Sequence, residues 1–168
     1  MNKQIFIDIR DRVKTNNLIK HVALYNSQYK HENVEKVFNF PAVFIEFSRV
    51  DYRAETVGVS KIDFEITLHI CFNQYVEDLA LFDIVQSTIL TVNKWGTDDF
   101  TPLQIISEEH DTDHDNTSAW KVLFKCTATD DNTADAKKLV LAGSPRTLEL
   151  TTDLDIDNLI VRTGDGKN

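Results

Sequence analysis

The chain has 168 residues, of which 42% are hydrophobic and 27% are charged, a composition typical of one globular domain. Its net charge of −9 disfavours nucleic-acid binding through phosphate neutralisation. No apolar run approaches the roughly 20 residues that a membrane span requires. The first residues lack a secretory pattern, so we expect a protein that stays in the cytoplasm where it is made, with no membrane partner.

Short apolar patterns predict the first elements. Residues 3–14 are predicted to form an amphipathic helix, because apolar residues recur there at four-residue spacing: Ile5, Ile9 and Val13. A first strand is predicted over residues 18–25, with three core candidates: Ile19, Val22 and Leu24. The polar residues 26–39 have no clean period, so we expect a loop that is long enough to have a functional role.

Pro41 is predicted to open the second strand, because a proline at a strand's first residue loses no ladder hydrogen bond that matters. Apolar side chains then alternate toward one face over residues 42–48, and Phe44 is the exception on the other face. The next residues, 49–60, are charged and contain a glycine. They predict a hairpin with a long, mobile tip.

The clearest pattern in the chain lies at residues 61–72. Every even position from Ile62 to Phe72 is apolar, and every odd position from Lys61 to His69 is polar. Because successive side chains of a strand point to opposite faces, this pattern predicts one dry face and one wet face. A strand with a wet face favours an antiparallel sheet with helices on one side. Its odd residues are expected to face water or another protein: Lys61, Asp63, Glu65, Thr67 and His69.

A longer helix is predicted over residues 77–94, where two acids in the first turn complement the helix dipole. Its apolar stripe consists of Leu81, Ile84, Val85, Thr88, Ile89, Val92 and Trp95. We expect this helix to cover the dry sheet face and to end at Gly96 in a left-handed cap. Two further strands are predicted over residues 103–109 and 119–128, around an acidic turn at 108–118.

Together these elements predict an α+β fold. Its mostly antiparallel sheet has about four to five strands, and the helices pack on one face. Residues 1–129 form the predicted compact domain. The pattern loosens over residues 130–168, which we interpret as a C-terminal extension that orders against a neighbouring subunit.

One acidic segment, residues 108–115, has a composition like that of a metal site. Its carboxylates suit Ca²⁺ or Mg²⁺, and its imidazoles suit Zn²⁺ or Ni²⁺. The candidate ligands are His110, Asp111, Asp113, His114 and Asp115. The segment lacks the glycine and the final glutamate of a calcium-binding loop. We therefore predict a solvated acidic turn, with no native metal and no other cofactor.

The cysteines, Cys71 and Cys126, occupy apolar strand positions and are predicted to be buried thiols. Cys71 and His69 share one strand face and are the one nucleophile–base candidate, but side chains two residues apart on a strand are separated by about 7 Å. Phosphate-binding, dinucleotide-binding and metalloprotease motifs are absent from the sequence. We therefore expect no enzymatic activity.

The chain resembles the small tail-terminator or tail-completion proteins of tailed bacteriophages over residues 3–129. The resemblance rests on the order of elements, the hydrophobic segment 38–47 with Pro41 leading its strand, and Asp83 in the longer helix. It implies a non-enzymatic ring, usually of six copies, that caps the tail tube and joins it to the head–tail connector proteins. It also implies a virion protein, assembled in the host cytoplasm. DNA would pass through the ring's lumen without sequence-specific binding, and the acidic balance of residues 96–168 (7 Lys/Arg against 15 Asp/Glu) fits such a lumen.

Candidate subunit contacts lie at aromatic, hairpin and extension positions. They are Phe40 and Phe44, the basic hairpin rim of Arg49, Arg53 and Lys61, and the extension residues Leu148, Leu150, Leu154 and Ile156. Aromatic groups off the core face favour interfaces. The alternating segment 148–161 is expected to add as a strand to an open sheet edge of a neighbour.

Other classes of function stay open at this stage. The chain would also suit a non-enzymatic adaptor or binding module that acts as a monomer or dimer, or another ring protein of the neck or connector. A metal-dependent enzyme using residues 108–115 is the third class. Oligomer mass separates the ring from the adaptor, and thermal stabilisation by a metal would identify the enzyme.

Overall fold

A computed structural model describes residues 3–28, 38–56, 58–73, 76–111 and 117–131 of the chain. Two helices and a five-stranded, mostly antiparallel sheet form an α+β fold, as predicted. The elements in chain order are α1 (Lys3–Lys14), β1 (His21–Leu24), β2 (Ala42–Thr56), β3 (Val59–Asn73), α2 (Asp78–Val92), β4 (Gln104–Asp111) and β5 (Thr117–Asp130).

The sheet is built around β3. The strand order is β1-β2-β3-β5-β4, so β3 is bonded on both sides and β1 and β4 form the two edges. β1 runs parallel to β2, and the other neighbours are antiparallel. The predicted dry face of β3 is confirmed, because its even side chains are all buried: Ile62, Phe64, Ile66, Leu68, Ile70 and Phe72.

Both helices cover this dry face and share one core with it. The buried residues of α1 are Ile5, Ile9 and Val13, and those of α2 include Val85, Thr88 and Val92. Two buried hydrogen bonds connect the end of α1 to α2. The side-chain amide of Asn16 donates to the Thr88 hydroxyl (3.3 Å), and this hydroxyl donates to the Ile84 carbonyl (2.8 Å). The helices therefore lie on one side of the sheet, here called the helix face; the other side is called the open face.

The hairpin between β2 and β3 is longer than predicted. Its strands stay paired out to Thr56 and Val59, so the expected mobile segment over residues 49–56 is instead extended strand. The charged residues of this strand find opposite charges on the open face: Arg49 is the register partner of Glu65, and Arg53 pairs diagonally with Asp63. These contacts offset the directly opposed like charges of Asp51 with Asp63 and of Arg53 with Lys61. Gly58, with φ of 86°, occupies the turn.

A second core lies on the open face, and it changes the role of Phe44. Phe44 has no exposed surface and packs with Phe38, Ala42, Cys71 and Ala119. Residues at the end of the connection from β1 to β2 cover this part of the sheet, and the ring of Phe38 meets that of Phe44 at 4.9 Å between centroids. The prediction that Phe44 is available for subunit contact is therefore wrong.

Two smaller predictions also failed. Leu24, a predicted core residue, is the last residue of the edge strand β1 and is exposed. Gly96 is not the left-handed cap of α2; that conformation belongs to Lys94, with φ of 61°. A Cβ at Gly96 would lie 2.8 Å from the Pro102 nitrogen and 2.9 Å from the Phe100 carbonyl oxygen. Glycine is needed there for close backbone approach rather than for a cap.

The second core gives the first testable prediction. Phe44→Ala should lower the free energy of unfolding by about 3–5 kcal/mol, because it leaves a cavity in a fully buried site. The control is Leu79→Ala, since Leu79 is 80% exposed and its loss should change the free energy of unfolding by about 0.5 kcal/mol or less. Urea titration followed by circular dichroism measures both. Equal losses for the two variants would contradict the placement of Phe44.

Candidate functional site

The open face of the sheet carries charges of both signs at the hairpin end. They are Arg49, Asp51, Arg53, Lys61, Asp63, Glu65 and Lys125. The Arg49 guanidinium contacts the Asp51 carboxylate at 2.7 Å, and Arg53 forms an ion pair with Asp63. The sequence favoured a solvated hairpin over a basic rim here, and the charge pattern agrees, because acids of the same face pair with both arginines.

Asp63 is the most firmly held of these carboxylates. The Thr127 hydroxyl donates to its Oδ1 at 2.9 Å, and Arg53 donates to its Oδ2. The hydrogen bond from Thr127 and the charge of Arg53 lower the pKa of Asp63 below its ordinary value of 3.8, against the opposing effect of burial. Asp63 thereby ties β3 to β2 on one side and to β5 on the other.

Farther along the open face, side chains from four strands and Tyr25 line a polar cavity of about 310 Å³. Its lining consists of Tyr25, Glu46, Thr67, His69, Ser107, Glu109, Lys121 and Leu123. Only Leu123 among them is aliphatic. The cavity is open to solvent. Every strand except β1 contributes side chains to it, and Tyr25 is the residue that directly follows β1.

His69 forms the floor of this cavity and is buried, although the alternation predicted it on the wet face. The Tyr25 ring stacks on the imidazole with centroids 4.1 Å apart and planes 7° from parallel. Nε2 of His69 lies 2.6 Å from Oε2 of Glu46. The prediction failed because Tyr25, which follows β1, covers this end of β3, while Glu46 gives the buried imidazole a polar partner.

The pair of Cys71 and His69 is not arranged for nucleophilic catalysis. The Cys71 thiol lies 3.8 Å from the backbone oxygen of His69. Burial, and then the negative charge of Asp111, raise the pKa of Cys71 well above 9.0, so the thiolate is disfavoured. Burial likewise raises the pKa of Cys126 to about 12. Both cysteines are buried and free, as predicted.

The candidate metal ligands do not converge where they are described. His110 lies on the helix face, where its Nε2 is 2.8 Å from the Ser118 hydroxyl and its ring stacks on Trp120. Asp111 lies on the open face and pairs with the Lys121 ammonium at 2.8 Å. Asp113, His114 and Asp115 lie outside the described residues. Within the described part of the chain, no group of three or more His, Cys, Asp or Glu side chains is placed to hold a metal ion.

Lys121 is committed to this acidic corner of the cavity. Burial lowers its pKa, but the hydrogen bond and charge of Asp111, with the charge of Glu109, raise it to a net value above 10.5. Lys121 therefore stays protonated at neutral pH and serves as the counter-ion of Asp111. Lys121 is therefore a fixed positive charge beside the cavity and does not act as a general base.

The sequence reasoning missed the exposed large apolar side chains, which lie on α2, around β1, on β4 at Ile106 and on the hairpin at Tyr52. On α2, Leu79 is 80%, Phe82 55% and Leu90 70% exposed. At β1, Leu18 is 46% and Leu24 44% exposed. A signal for the first group was present in the sequence, because residues 79, 82 and 90 follow a second helical stripe beside the predicted core stripe.

The other predicted contacts have mixed outcomes. Phe40 is half-buried and packs edge-on against Phe38, with centroids 5.2 Å apart. Lys61 is half-buried and is the register partner of Arg53. The extension residues Leu148, Leu150, Leu154 and Ile156 lie outside the described residues, so their role stays a prediction.

Comparisons with known proteins give no assignment. No family model matches the chain, and no curated protein matches it at a significant level of similarity. Neither described helix is long and apolar enough to cross a membrane. The function therefore has to be argued from the surfaces and side chains described above.

Asp63 predicts a measurable acid sensitivity. Because its pKa in the folded protein is below 3.8, the carboxylate contributes stability that is present above that value and is lost as the pH falls through the folded pKa. Asp63→Asn should lower the melting temperature at neutral pH. The melting temperature of this variant should also decrease less steeply than that of the wild type as the pH is lowered into the acid range. The control, Asp51→Asn, removes a carboxylate from an exposed ion pair and should change the profile little. Parallel profiles for the wild type and Asp63→Asn would contradict this role.

Burial of the thiols predicts that neither cysteine reacts in the native protein. Ellman's reagent should release no colour from the folded chain at neutral pH, since both thiols are inaccessible and have raised pKa values. In concentrated urea both cysteines should react at the rate of a free thiol. Rapid labelling of one thiol before unfolding would restore the nucleophile hypothesis for that residue.

Proposed function

We propose that this chain is a structural subunit of the tail-terminator or tail-completion ring of a tailed bacteriophage. In this role it joins the tail tube to the head–tail connector and becomes part of the virion after assembly in the host cytoplasm. The observation that carries the proposal is the order of elements, α1-β1-β2-β3-α2-β4-β5, with both helices on one sheet face. This is the order on which the resemblance to that family depends.

The side-chain chemistry of the cavity supports a structural role. Three of its charged or titratable groups are paired across strands: Glu46 with His69, and Lys121 with Asp111 beside the cavity. Pairing of this kind fixes neighbouring strands together. The proposal accordingly assigns no catalytic residue and no cofactor to this face.

The shape of the sheet supports assembly into a ring. Its two edge strands, β1 and β4, lie at opposite ends of the strand order. An interface between two different edges is heterologous, and repetition of such an interface closes a ring when the rotation per subunit divides a full turn. The acidic excess of residues 96–168 suits a lumen along which DNA moves without binding.

A monomeric or dimeric adaptor is the second candidate. The observation that favours it is the open polar cavity at Tyr25 and His69, since concave sites with convergent polar groups are typical ligand sites. The two candidates differ in oligomeric state and in affinity for tail tubes. The ring is preferred because the imidazole of His69 is already engaged by Glu46 and by the ring of Tyr25.

The proposal is tested with tail tubes of the phage that encodes the chain. Purified protein should bind the end of the tubes and stop their further growth, seen by electron microscopy as a ring at one end. Light scattering of the bound fraction should give a closed multiple of the 19.3 kDa chain mass, near six. Bovine serum albumin at equal concentration serves as the control. Tubes that keep growing, with no added density at either end, would sink the proposal.

A further inference from the structure

β2 is paired with β1 over only the first part of its length. β1 aligns with residues 42–45, whereas β2 continues to Thr56. Within the described part of the chain, no strand pairs with residues 46–56 on the side of β2 away from β3. These residues are here called the outer edge of β2. An edge of this kind presents backbone groups to which a further strand can bond.

We infer that the chain's own C-terminal extension supplies that strand. Residues 148–153, which lie outside the described residues, pair antiparallel with residues 49–54 of the same chain, and Leu150 lies opposite Tyr52. From sequence we expect the edge of a neighbour, but the described strands offer a nearer edge in the same chain. This inference does not depend on the proposed ring.

The end of β5 lies close to the outer edge of β2. Asp130, the last residue of β5, is the register partner of Ser60, and Ser60 is the register partner of Ala54 on β2. Neighbouring strands are about 4.8 Å apart, so a strand added beside Ala54 lies roughly 14 Å from Asp130. The connecting residues, 131–147, can span up to roughly 55 Å. The extension therefore reaches this edge within one chain.

The direction of the strands favours antiparallel pairing. β2 runs toward the β2–β3 turn, and β5 ends at the same end of the sheet. A strand that begins beside Ala54 therefore runs back along β2 in the opposite direction. A parallel strand would require the connection to pass along the whole edge first, and parallel pairing is slightly less stable per residue.

The alternation of the extension matches the two faces of β2. Tyr52 lies on the helix face, because its register partner Ile62 is buried there, and Tyr52 itself is 53% exposed. Leucines occupy positions 148 and 150 of the extension, and polar residues occupy positions 149, 151 and 153. With the leucines on the helix face, Leu150 packs against the exposed tyrosine ring, and the polar residues lie on the open face.

Charges on the open face select the register. The edge residues of that face alternate in sign: Arg49, Asp51 and Arg53. With Leu150 opposite Tyr52, Glu149 opposes Arg53, Asp153 opposes Arg49, and the uncharged Thr151 opposes Asp51. A slip of two residues in either direction keeps the faces but places Glu149 or Asp153 opposite Asp51, and directly opposed like charges are destabilising.

Both arginines of the outer edge have room for a second carboxylate. Arg49 already contacts Asp51, and Arg53 already pairs with Asp63, but their side chains are 62% and 65% exposed. A guanidinium has five N–H donors, so one carboxylate does not exhaust it. The added acids would therefore bind these arginines without breaking the ion pairs described above.

Engineered cysteine pairs in the full chain test the register. Tyr52→Cys with Leu150→Cys places two thiols at directly opposed positions. The matched control, Tyr52→Cys with Ile156→Cys, places them six residues, roughly 20 Å, out of register. Both variants are equilibrated with reduced and oxidised glutathione, and disulfides are assigned by mass spectrometry of proteolytic peptides. The native cysteines are buried and free, so the engineered thiols should be the ones that react.

The effective concentration of the in-register pair should exceed that of the control pair by about tenfold or more, because pairing of the strands adds to the effect of the tether. Equal effective concentrations would show a flexible tether and overturn the inference. Disulfide-linked dimers as the main product would assign the strand to a neighbouring copy and overturn pairing within one chain.

A charge exchange tests the same register with the apolar contact intact. In the wild type, hydrogen exchange should be slower over residues 148–153 than over residues 131–147. Arg53→Glu should remove this protection, and adding Glu149→Arg should restore it. Arg53→Glu with Asp157→Arg is the matched control, since it restores the net charge but leaves Glu149 in place. Exchange of residues 148–153 at the rate of an unstructured chain in the wild type would refute the pairing.

Discussion

The register of β3 is the constraint on which the other features of this molecule depend. β3 pairs with β2 on one side and β5 on the other, and its alternation places apolar side chains beneath both helices. A slip of one residue would move Asp63 and Glu65 into that core, where burial of an uncompensated carboxylate is very costly. The same register brings Asp63 beside Thr127 and His69 beside Glu46. Fold and polar network are therefore determined together.

The open face is divided into a solvated part and a covered part. Toward the hairpin, charged side chains pair at the surface, where such ion pairs contribute little to stability. Toward the other end, Tyr25 and Phe38 from either side of the β1–β2 connection close over His69, Phe44 and Cys71. Burial of the imidazole is tolerated because Glu46 hydrogen-bonds to it. Tyr25 and Phe38 thus convert part of the predicted wet face into a second core.

This division explains how much of the fold could be predicted. α1, the core stripe of α2 and the dry face of β3 follow from periodicity, which depends only on neighbouring residues. The burial of Phe44 and His69 depends instead on where a long connection returns to the sheet, and no local pattern contains that information.

The candidate site was predicted least well. The charged residues of the hairpin were taken for a mobile tip because their partners, such as Asp63 for Arg53, lie on another strand. His110 and Asp111 are adjacent in sequence but occupy opposite sheet faces, so their composition resembled a metal site that their geometry does not form. The exposed residues of α2 had a local signal at positions 79, 82 and 90, but the stronger apolar stripe of the same helix is the one that packs in the core.

The two edge strands of the sheet are poorly suited to pair with the backbone of another molecule. β1 has only four residues, and β4 has a register shift between Ile105 and Ser107 with charged side chains beyond it. Short, bulged and charged edges discourage pairing of backbones between molecules, which would otherwise grow without limit. In the proposed ring, neighbouring subunits would therefore meet through side chains rather than through paired backbones.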